Sequence, residues 1–315
     1  MELRAEEIGQ GITCIETHYI RPGLACCYLI QEGDAAALID TGTTHTAPMI
    51  LELLEQKEIP REAVKYVIPT HVHLDHAGGS GALMEALPGA TLIVHPQGSR
   101  HMIDPSKLTA GATAVYGEEA FARNFGRLTP VPVSRVVEAP DGFSLDLGGR
   151  TLVCIDTPGH ARHHFCVWDE ESNGFFTGDT FGMAYRELGT DRGPFMMLPS
   201  TPVQFDPESW HKTLDLLMSY DPERMYLTHY CAVENPSGLV GALKEQLDQF
   251  CVIARGADAA NRQETIGIGL RDLFVERLRD HGCAWSDTKI EAFLGDDIDL
   301  FAQGLRVWME RSENR

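Results

Sequence analysis

The run Thr70-His71-Val72-His73-Leu74-Asp75-His76 places four side chains of metal-binding type within six residues of this 315-residue chain. A chain with 13 histidines would contain such a run by chance on the order of one time in a thousand. It follows an apolar stretch at residues 64–69 that predicts a buried strand. A loop at a strand end can direct alternate side chains into one pocket, and imidazole with carboxylate suits zinc, iron or manganese. The run therefore predicts a metal centre at the end of a strand.

The hydrophobic pattern predicts an α/β body, because strand-like runs such as 25–30 and 150–156 alternate with helical stretches such as 47–57. After Pro236 only helical patterns remain, at 237–256, 263–281 and 296–312. We therefore expect a catalytic domain at 1–235 and an all-helical C-terminal extension at 236–315.

The net charge and the cysteine pattern limit the binding partners and the cellular location that we expect for the protein. The formal net charge of −20 opposes binding to nucleic acid or to an anionic membrane. No run approaches the roughly 20 apolar residues of a membrane span, and the acidic N-terminus does not resemble a signal peptide. None of the eight cysteines forms a Cys-x-x-Cys pair, and most lie in apolar runs. We expect reduced, buried thiols and a cytoplasmic protein.

Other short motifs follow the same order as in a known family: Asp40-Thr41-Gly42, Thr157-Pro158-Gly159-His160, Phe176-Thr177-Gly178-Asp179 and Thr228-His229. Together with the histidine-rich run, they resemble the metallo-β-lactamase superfamily, in its glyoxalase II-like hydrolase branch, over residues 12–230. The resemblance implies an α/β fold, a four-layer αββα sandwich with the metals at one edge between its two sheets.

The same resemblance implies the site. The first metal is expected on His71, His73 and His160, the second on Asp75, His76 and His229, and Asp179 is expected to bridge them. Asp75 and Asp179 are the implied catalytic residues. Two divalent ions are expected, with zinc as the first choice and iron or manganese as alternatives. A hydroxide that bridges them would be the nucleophile. Asp40 is interpreted as a hydrogen-bonding support rather than a ligand.

The preferred function is hydrolysis of a small-molecule ester, thioester or lactone. Two alternatives stay open: an enzyme like the mononuclear-iron persulfide dioxygenases, and a metal-stabilised binding or regulatory protein without turnover. The Asp75-His76 pair does not resemble class B β-lactamases. Residues 230–260 carry only Lys244 and Arg255 as basic residues, which does not favour glutathione binding of the glyoxalase II type. The −20 charge does not fit the tRNA-processing phosphodiesterases.

Several residues keep two interpretations. His163 and His164 either support the metal ligands or are structural, and Tyr185 either reaches substrate or packs in a loop. Residues 97–130 are interpreted as an insertion near the site. Its apolar side chains, together with a later group, predict either a pocket wall or ordinary core: Met102, Leu108, Tyr116, Phe121, Phe125, Phe181, Met183, Phe195, Met196 and Met197. Apolar residues at helical spacing also suggest that the C-terminal helices form both a lid over the active-site cleft and a homodimer contact. These residues are Ile266, Ile268, Leu270, Leu273, Phe274 and Leu278, with a second set at 300–308.

Overall fold

The computed structural model describes residues 2–200 and 204–314. They divide into two compact units. The first, here called the sandwich unit, takes its residues from 2–156, 163–178 and 222–234. The second, the helical unit, takes its residues from 157–162, 179–221 and 235–314. The predicted domain boundary at residue 235 stays a prediction.

The larger sheet of the sandwich unit follows the order of the chain from edge to edge. Its strands are β1 (Ala5–Glu7), β2 (Ile12–Glu16), β3 (Cys26–Glu32), β4 (Ala35–Ile39), β5 (Val64–Ile68), β6 (Thr91–Val94) and β7 (Val136–Glu138). Strands β1 to β4 pair antiparallel, and β4 to β7 pair parallel. Parallel neighbours need crossover connections. These are supplied by α1 (Ala47–Gln56), α2 (Leu74–Ala77), α3 (Ser80–Ala86), α4 (Ser99–Ile103), α5 (Ser106–Tyr116) and α6 (Glu118–Phe125).

The second sheet of this unit has the order β15-β14-β11-β10-β9-β8. Its strands are β8 (Phe143–Leu147), β9 (Arg150–Asp156), β10 (Phe165–Asp169), β11 (Gly174–Gly178), β14 (Arg224–Leu227) and β15 (Cys231–Glu234). Only β11 and β14 pair parallel among these described strands. Both sheets therefore bring ligand-bearing loops to strand ends, after β5 and after β14.

Strands β2 to β4 of the larger sheet are mostly buried on both faces, to which successive side chains point in turn, whereas the edge strand β1 is exposed. Tyr28 packs with residues of the second sheet such as Phe165 and Phe176, and none of the three is more than 1% exposed. The neighbouring Leu29 points the other way and packs with Ile50 of α1. The sandwich unit is thus built from a helical layer, a sheet and a second sheet.

The helical unit contains β12 (Met183–Ala184), β13 (Met196–Met197), α7 (Pro207–Met218), α8 (Pro236–Gly256), α9 (Arg262–Asp280) and α10 (Asp287–Glu313). The last three helices share an aromatic core, in which the ring centroids of Phe250, Phe274 and Phe301 are 6.0–6.4 Å apart. Short 3-10 turns occur at Arg61–Ala63, Val133–Arg135 and Arg186–Leu188.

The predicted α/β class and the all-helical C-terminal region are confirmed. One predicted boundary is wrong, because α10 begins at Asp287 and not near residue 296. The helix begins about two turns earlier because Ser286 caps it and because Ile290 and Leu294 are buried. In the described part of the chain, no helix is both long and apolar enough to cross a membrane.

Candidate metal centre

The sandwich unit brings together a carboxylate and two imidazoles from distant parts of the chain. Asp75 and His76 lie in α2, just after β5, and His229 follows β14. One ligand atom from each residue lies within 4.8 Å of the others. Nε2 of His229 is 3.5 Å from Oδ2 of Asp75, and Nε2 of His76 is 3.7 Å from the same oxygen. His76 is fully buried and His229 is nearly so.

Asp40 fixes the orientation of His76. Its Oδ2 lies 2.8 Å from Nδ1 of His76 and accepts a 2.7 Å hydrogen bond from the Thr228 hydroxyl. Its Oδ1 accepts from the backbone N–H and the hydroxyl of Thr70, at 2.8 and 2.9 Å. Because Nδ1 of His76 faces a carboxylate, it carries the proton, and the lone pair of His76 is on Nε2. Asp40 is therefore a supporting residue, as the sequence indicated.

His229 is oriented by the main chain in the same way. Its Nδ1 lies 2.8 Å from the carbonyl oxygen of Leu24, and the N–H of Cys26 donates to the carbonyl of Thr228 at 2.7 Å. The proton of His229 is therefore on Nδ1, and Nε2 carries the lone pair that faces Asp75. The start of β3 thus positions a ligand that lies some 200 residues later in the chain.

His71 and His73 form a second close pair in the sandwich unit. Nε2 of His71 lies 2.8 Å from Nδ1 of His73, and the two rings are nearly perpendicular. Two imidazole nitrogens at this distance either share a proton or present two lone pairs to one cation. His71 is fully buried against the ring of His76, with centroids 4.0 Å apart.

His163 and His164 both pack beside this pair. The ring of His164 stacks on His71 with centroids 4.9 Å apart. Nδ1 of His163 accepts a 3.4 Å hydrogen bond from the N–H of Val72, and its ring meets His73 edge-on. Burial lowers the pKa of His163 to about 3. Of the two interpretations, contact with the candidate ligands is the one observed.

The helical unit contains the other predicted ligands, His160 and Asp179. Nε2 of His160 lies 3.3 Å from Oδ2 of Asp179, and its Nδ1 lies 2.9 Å from the carbonyl oxygen of Pro199. The His160 ring rests edge-on against Trp210, whose indole N–H donates to the carbonyl of Thr180 at 2.7 Å. This histidine thus repeats the pattern of His76 and His229, with the Nδ1 proton donated and Nε2 facing a carboxylate.

The residue before His160 has to be glycine. Gly159 has φ +142°, and a Cβ there would lie 2.5 Å from Cβ of Trp210. Any larger residue would push the His160 segment away from Trp210, which explains the Pro-Gly-His order of this motif.

The donor atoms fit divalent metal ions. Two ligands bound at roughly 2.0–2.1 Å to one tetrahedral ion are roughly 3.3–3.5 Å apart. The His160–Asp179 and His229–Asp75 separations of 3.3 and 3.5 Å agree with this spacing. Imidazole and carboxylate are also the ligand types of zinc, iron and manganese sites. The site can therefore hold metal ions.

The remaining sequence candidates have structural environments. The Tyr185 hydroxyl donates a 3.0 Å hydrogen bond to Asp297 of α10, and its ring packs on Phe293, which is the loop-packing interpretation. Nε2 of His95 lies 3.0 Å from Oδ1 of Asp156. Most of the proposed pocket-wall residues are buried, namely Met102, Phe121, Phe125, Phe181, Met183, Phe195, Met196 and Met197. Of the other two, Leu108 is half-buried and Tyr116 is 41% exposed.

The structure thus combines an α/β sandwich with histidine–carboxylate clusters that could hold metal ions. A family model described as the metallo-beta-lactamase superfamily matches residues 20–229, about two thirds of the chain. The chain therefore belongs to this superfamily, whose members are mostly metal-dependent hydrolases.

Individual relatives are distant. The metallo-beta-lactamase fold-containing protein ST1585 of Sulfurisphaera tokodaii is 24% identical over 259 residues, which are 80% of this chain and 91% of that protein. Its crystal structure superposes with a TM-score of 0.62 over 77% of this chain and 86% of that one. The metallo-beta-lactamase family protein TTHA1429 of Thermus thermophilus superposes with a TM-score of 0.68 at 18% identity, over 98% and 95% of the two chains.

A third relative has a named activity. The protein named thioesterase pkgB of Emericella nidulans is 31% identical over 154 residues, which are 48% of this chain. The matched region spans 34% of that protein, about a third of its length.

Proposed function

We propose that this protein is a metal-dependent hydrolase of a small-molecule ester, thioester or lactone, with a binuclear centre. The first metal would be held by His71, His73 and His160, the second by Asp75, His76 and His229, with Asp179 shared. The proposed metals are two divalent ions, zinc first, with iron or manganese as alternatives.

The observation that carries this proposal is the common orientation of His76, His160 and His229. Each is held through Nδ1 by an oxygen of the chain, at 2.8, 2.9 and 2.8 Å. Each presents Nε2 to a carboxylate that would itself be a ligand. An ordinary structural histidine needs only one partner, whereas a ligand needs its second nitrogen oriented as well.

When bound, the divalent ions would lower the pKa of coordinated water and polarise the carbonyl under attack. The chain contributes fixed protonation states: Asp40 and the carbonyls of Leu24 and Pro199 keep the protons of the three histidines on Nδ1. Hydrolysis adds water across the acyl C–O or C–S bond and releases a carboxylate with an alcohol or a thiol. Asp75 and Asp179 are proposed as the catalytic carboxylates, since both lie beside a candidate ligand nitrogen.

The relationship to pkgB supports an acyl substrate, but over only part of each chain. We propose a small molecule rather than a nucleic acid or a membrane as partner, because the net charge is −20. A cytoplasmic location is proposed because all eight cysteines are thiols in the described structure, seven of them buried.

Elemental analysis combined with a substrate panel tests the function. We expect close to two divalent ions per chain and turnover of at least one generic ester, thioester or lactone. Asp179→Ala should abolish that turnover and lower the metal content, while the exposed Asp34→Ala should change neither. One iron per chain with oxygen consumption would support the dioxygenase alternative instead. Two bound metals without turnover of any such substrate would support a binding or regulatory protein.

A further inference from the structure

An aromatic cluster of the sandwich unit contacts the histidine-rich run directly. Leu74, between His73 and Asp75, packs with Phe121 and Phe125 of α6, and all three side chains are at least nine-tenths buried. Tyr19 and Leu108 complete this cluster at its edge. Leu74, which lies between two candidate ligands, is therefore a member of this apolar cluster.

Tyr116, the last residue of α5, lies on top of this cluster and is still accessible. Its ring centroid is 5.4 Å from that of Phe125, yet the residue is 41% exposed. The preceding Val115 is also 53% exposed. Packing does not require an apolar side chain at this helix end, because a polar one could take its place there without loss of contacts. Burial, followed by the negative charge of Asp75, raises the pKa of the Tyr116 phenol.

A cavity of about 390 Å³ opens beside the same ring. It is lined by Tyr116, Gly117, Glu118, Glu119, Ala120 and Arg123. Its volume is in the range of small-molecule sites. Two carboxylates against one guanidinium make it unfavourable for an anionic ligand, and the −20 charge of the chain adds to this.

We propose that the exposed ring of Tyr116, supported by the aromatic cluster beneath it, binds the apolar, uncharged acyl group of the substrate. The inference rests on the proposed function and narrows its substrate class to neutral esters or lactones with a medium-length apolar chain. Tyr116 is a specificity residue here: its ring covers the chain, and it takes no part in bond breaking. Continuity with the candidate metal site argues for this occupant, because Tyr116 packs on Phe125, and Phe125 packs in one cluster with Leu74, the residue that precedes Asp75.

Two substrates that differ only in acyl length test the proposal, 4-nitrophenyl acetate and 4-nitrophenyl octanoate. We expect a higher kcat/KM for the octanoate in the wild type. Tyr116→Ala should lower that value roughly 10-fold and change the acetate value less than two-fold. Tyr116→Phe should keep the preference, because it keeps the ring. Val133→Ala, at a 70% exposed apolar residue elsewhere in the same unit, is the matched control. An equal loss on both substrates, or no loss, would overturn the proposal.

Binding of octanamide, measured by calorimetry on the same variants, gives a readout that needs no turnover. Binding by the wild type and loss in Tyr116→Ala supports the apolar subsite even if no ester, thioester or lactone of the substrate panel is hydrolysed, in which case the proposed function fails alone. If octanamide does not bind while ester hydrolysis is intact, the proposed hydrolase function stands and the proposed apolar subsite is refuted. A wild-type dimer that becomes monomeric in Tyr116→Ala would show that a second copy covers this ring, and would also overturn the proposal.

Discussion

Oδ2 of Asp40 lies 2.8 Å from Nδ1 of His76, and the residue that provides this oxygen has a left-handed backbone with φ +56°. Asp and Asn are the non-glycine residues that tolerate this conformation best. Position 40 therefore requires a residue that tolerates a left-handed backbone and also a negatively charged side chain. Substitution can separate these two requirements.

Asp40→Asn keeps the backbone preference and removes the charge. An amide at this position would present N–H groups to the donors of Thr70, Thr228 or His76, so the proton of His76 would no longer be fixed on Nδ1. We expect metal affinity to fall roughly 10- to 100-fold, measured by competition with a chelator. Asp34→Asn, in an exposed turn, is the control. Unchanged affinity in Asp40→Asn would show that Asp40 is only structural.

Gly159→Ala tests the contact between His160 and Trp210. The added Cβ would overlap Trp210 and shift the His160 segment, so we expect about one metal ion per chain instead of two. Gly149→Ala is matched to it, since Gly149 also has a positive φ, of +101°, but a Cβ added there would have no atom within 4 Å. Equal metal content in Gly159→Ala and wild type would contradict the proposed role of His160.

Asp169→Asn should destabilise the protein by about 3–5 kcal/mol, because the buried guanidinium of Arg150 would keep only the more distant carboxylate of Glu32, 3.7 Å away, as a counter-charge. Both side chains are fully buried, Nε of Arg150 donates to Oδ1 of Asp169 at 2.8 Å, and a second guanidinium nitrogen contacts Oδ2. Urea unfolding measures the loss, with the exposed Glu170→Gln as control. A change below about 1 kcal/mol, the median for exposed pairs, would mean that the pair is solvated in solution.

All eight cysteines should react with a thiol reagent in denaturant without reductant. In the native protein only the half-buried Cys283 should react quickly, since the other cysteines are buried. Burial also raises the pKa of the Cys251 thiol to about 11 and that of Cys154 to about 12, which slows them further. Cys283→Ser should remove the fast phase. Two or more disulfides would refute the cytoplasmic proposal.

The homodimer stays a prediction, and light scattering at micromolar concentration decides it. The C-terminal helices bury most of the residues that suggested it, including Phe274 and Leu278, whereas Ile268 is 49% exposed. If a dimer forms through this helix, Ile268→Asp should dissociate it. A monomeric wild-type protein would contradict the predicted homodimer.

A feature of the site can be predicted from the sequence when the residues that form it are close together in the chain. The run from His71 to His76 is contiguous, so its chemistry is visible without a fold. The acceptors of His229 and His160 are the carbonyls of Leu24 and Pro199, and a backbone oxygen has no side-chain signature by which to recognise it. Tyr116 was one of ten apolar candidates. Nothing in a helical pattern separates one exposed ring from its buried neighbours, because exposure depends on what packs above it.

The dependence of His229 on the carbonyl of Leu24 has a consequence for biosynthesis. The candidate ligands His76 and His229 are about 150 residues apart, which at about 5–20 residues per second takes roughly 8–30 s to translate. During that interval the emerging chain displays the histidine-rich run without its last imidazole. This candidate ligand set is therefore completed late in synthesis, when the long-range contact between Leu24 and His229 closes, and slower elongation would lengthen the interval in which the chain carries only part of the set.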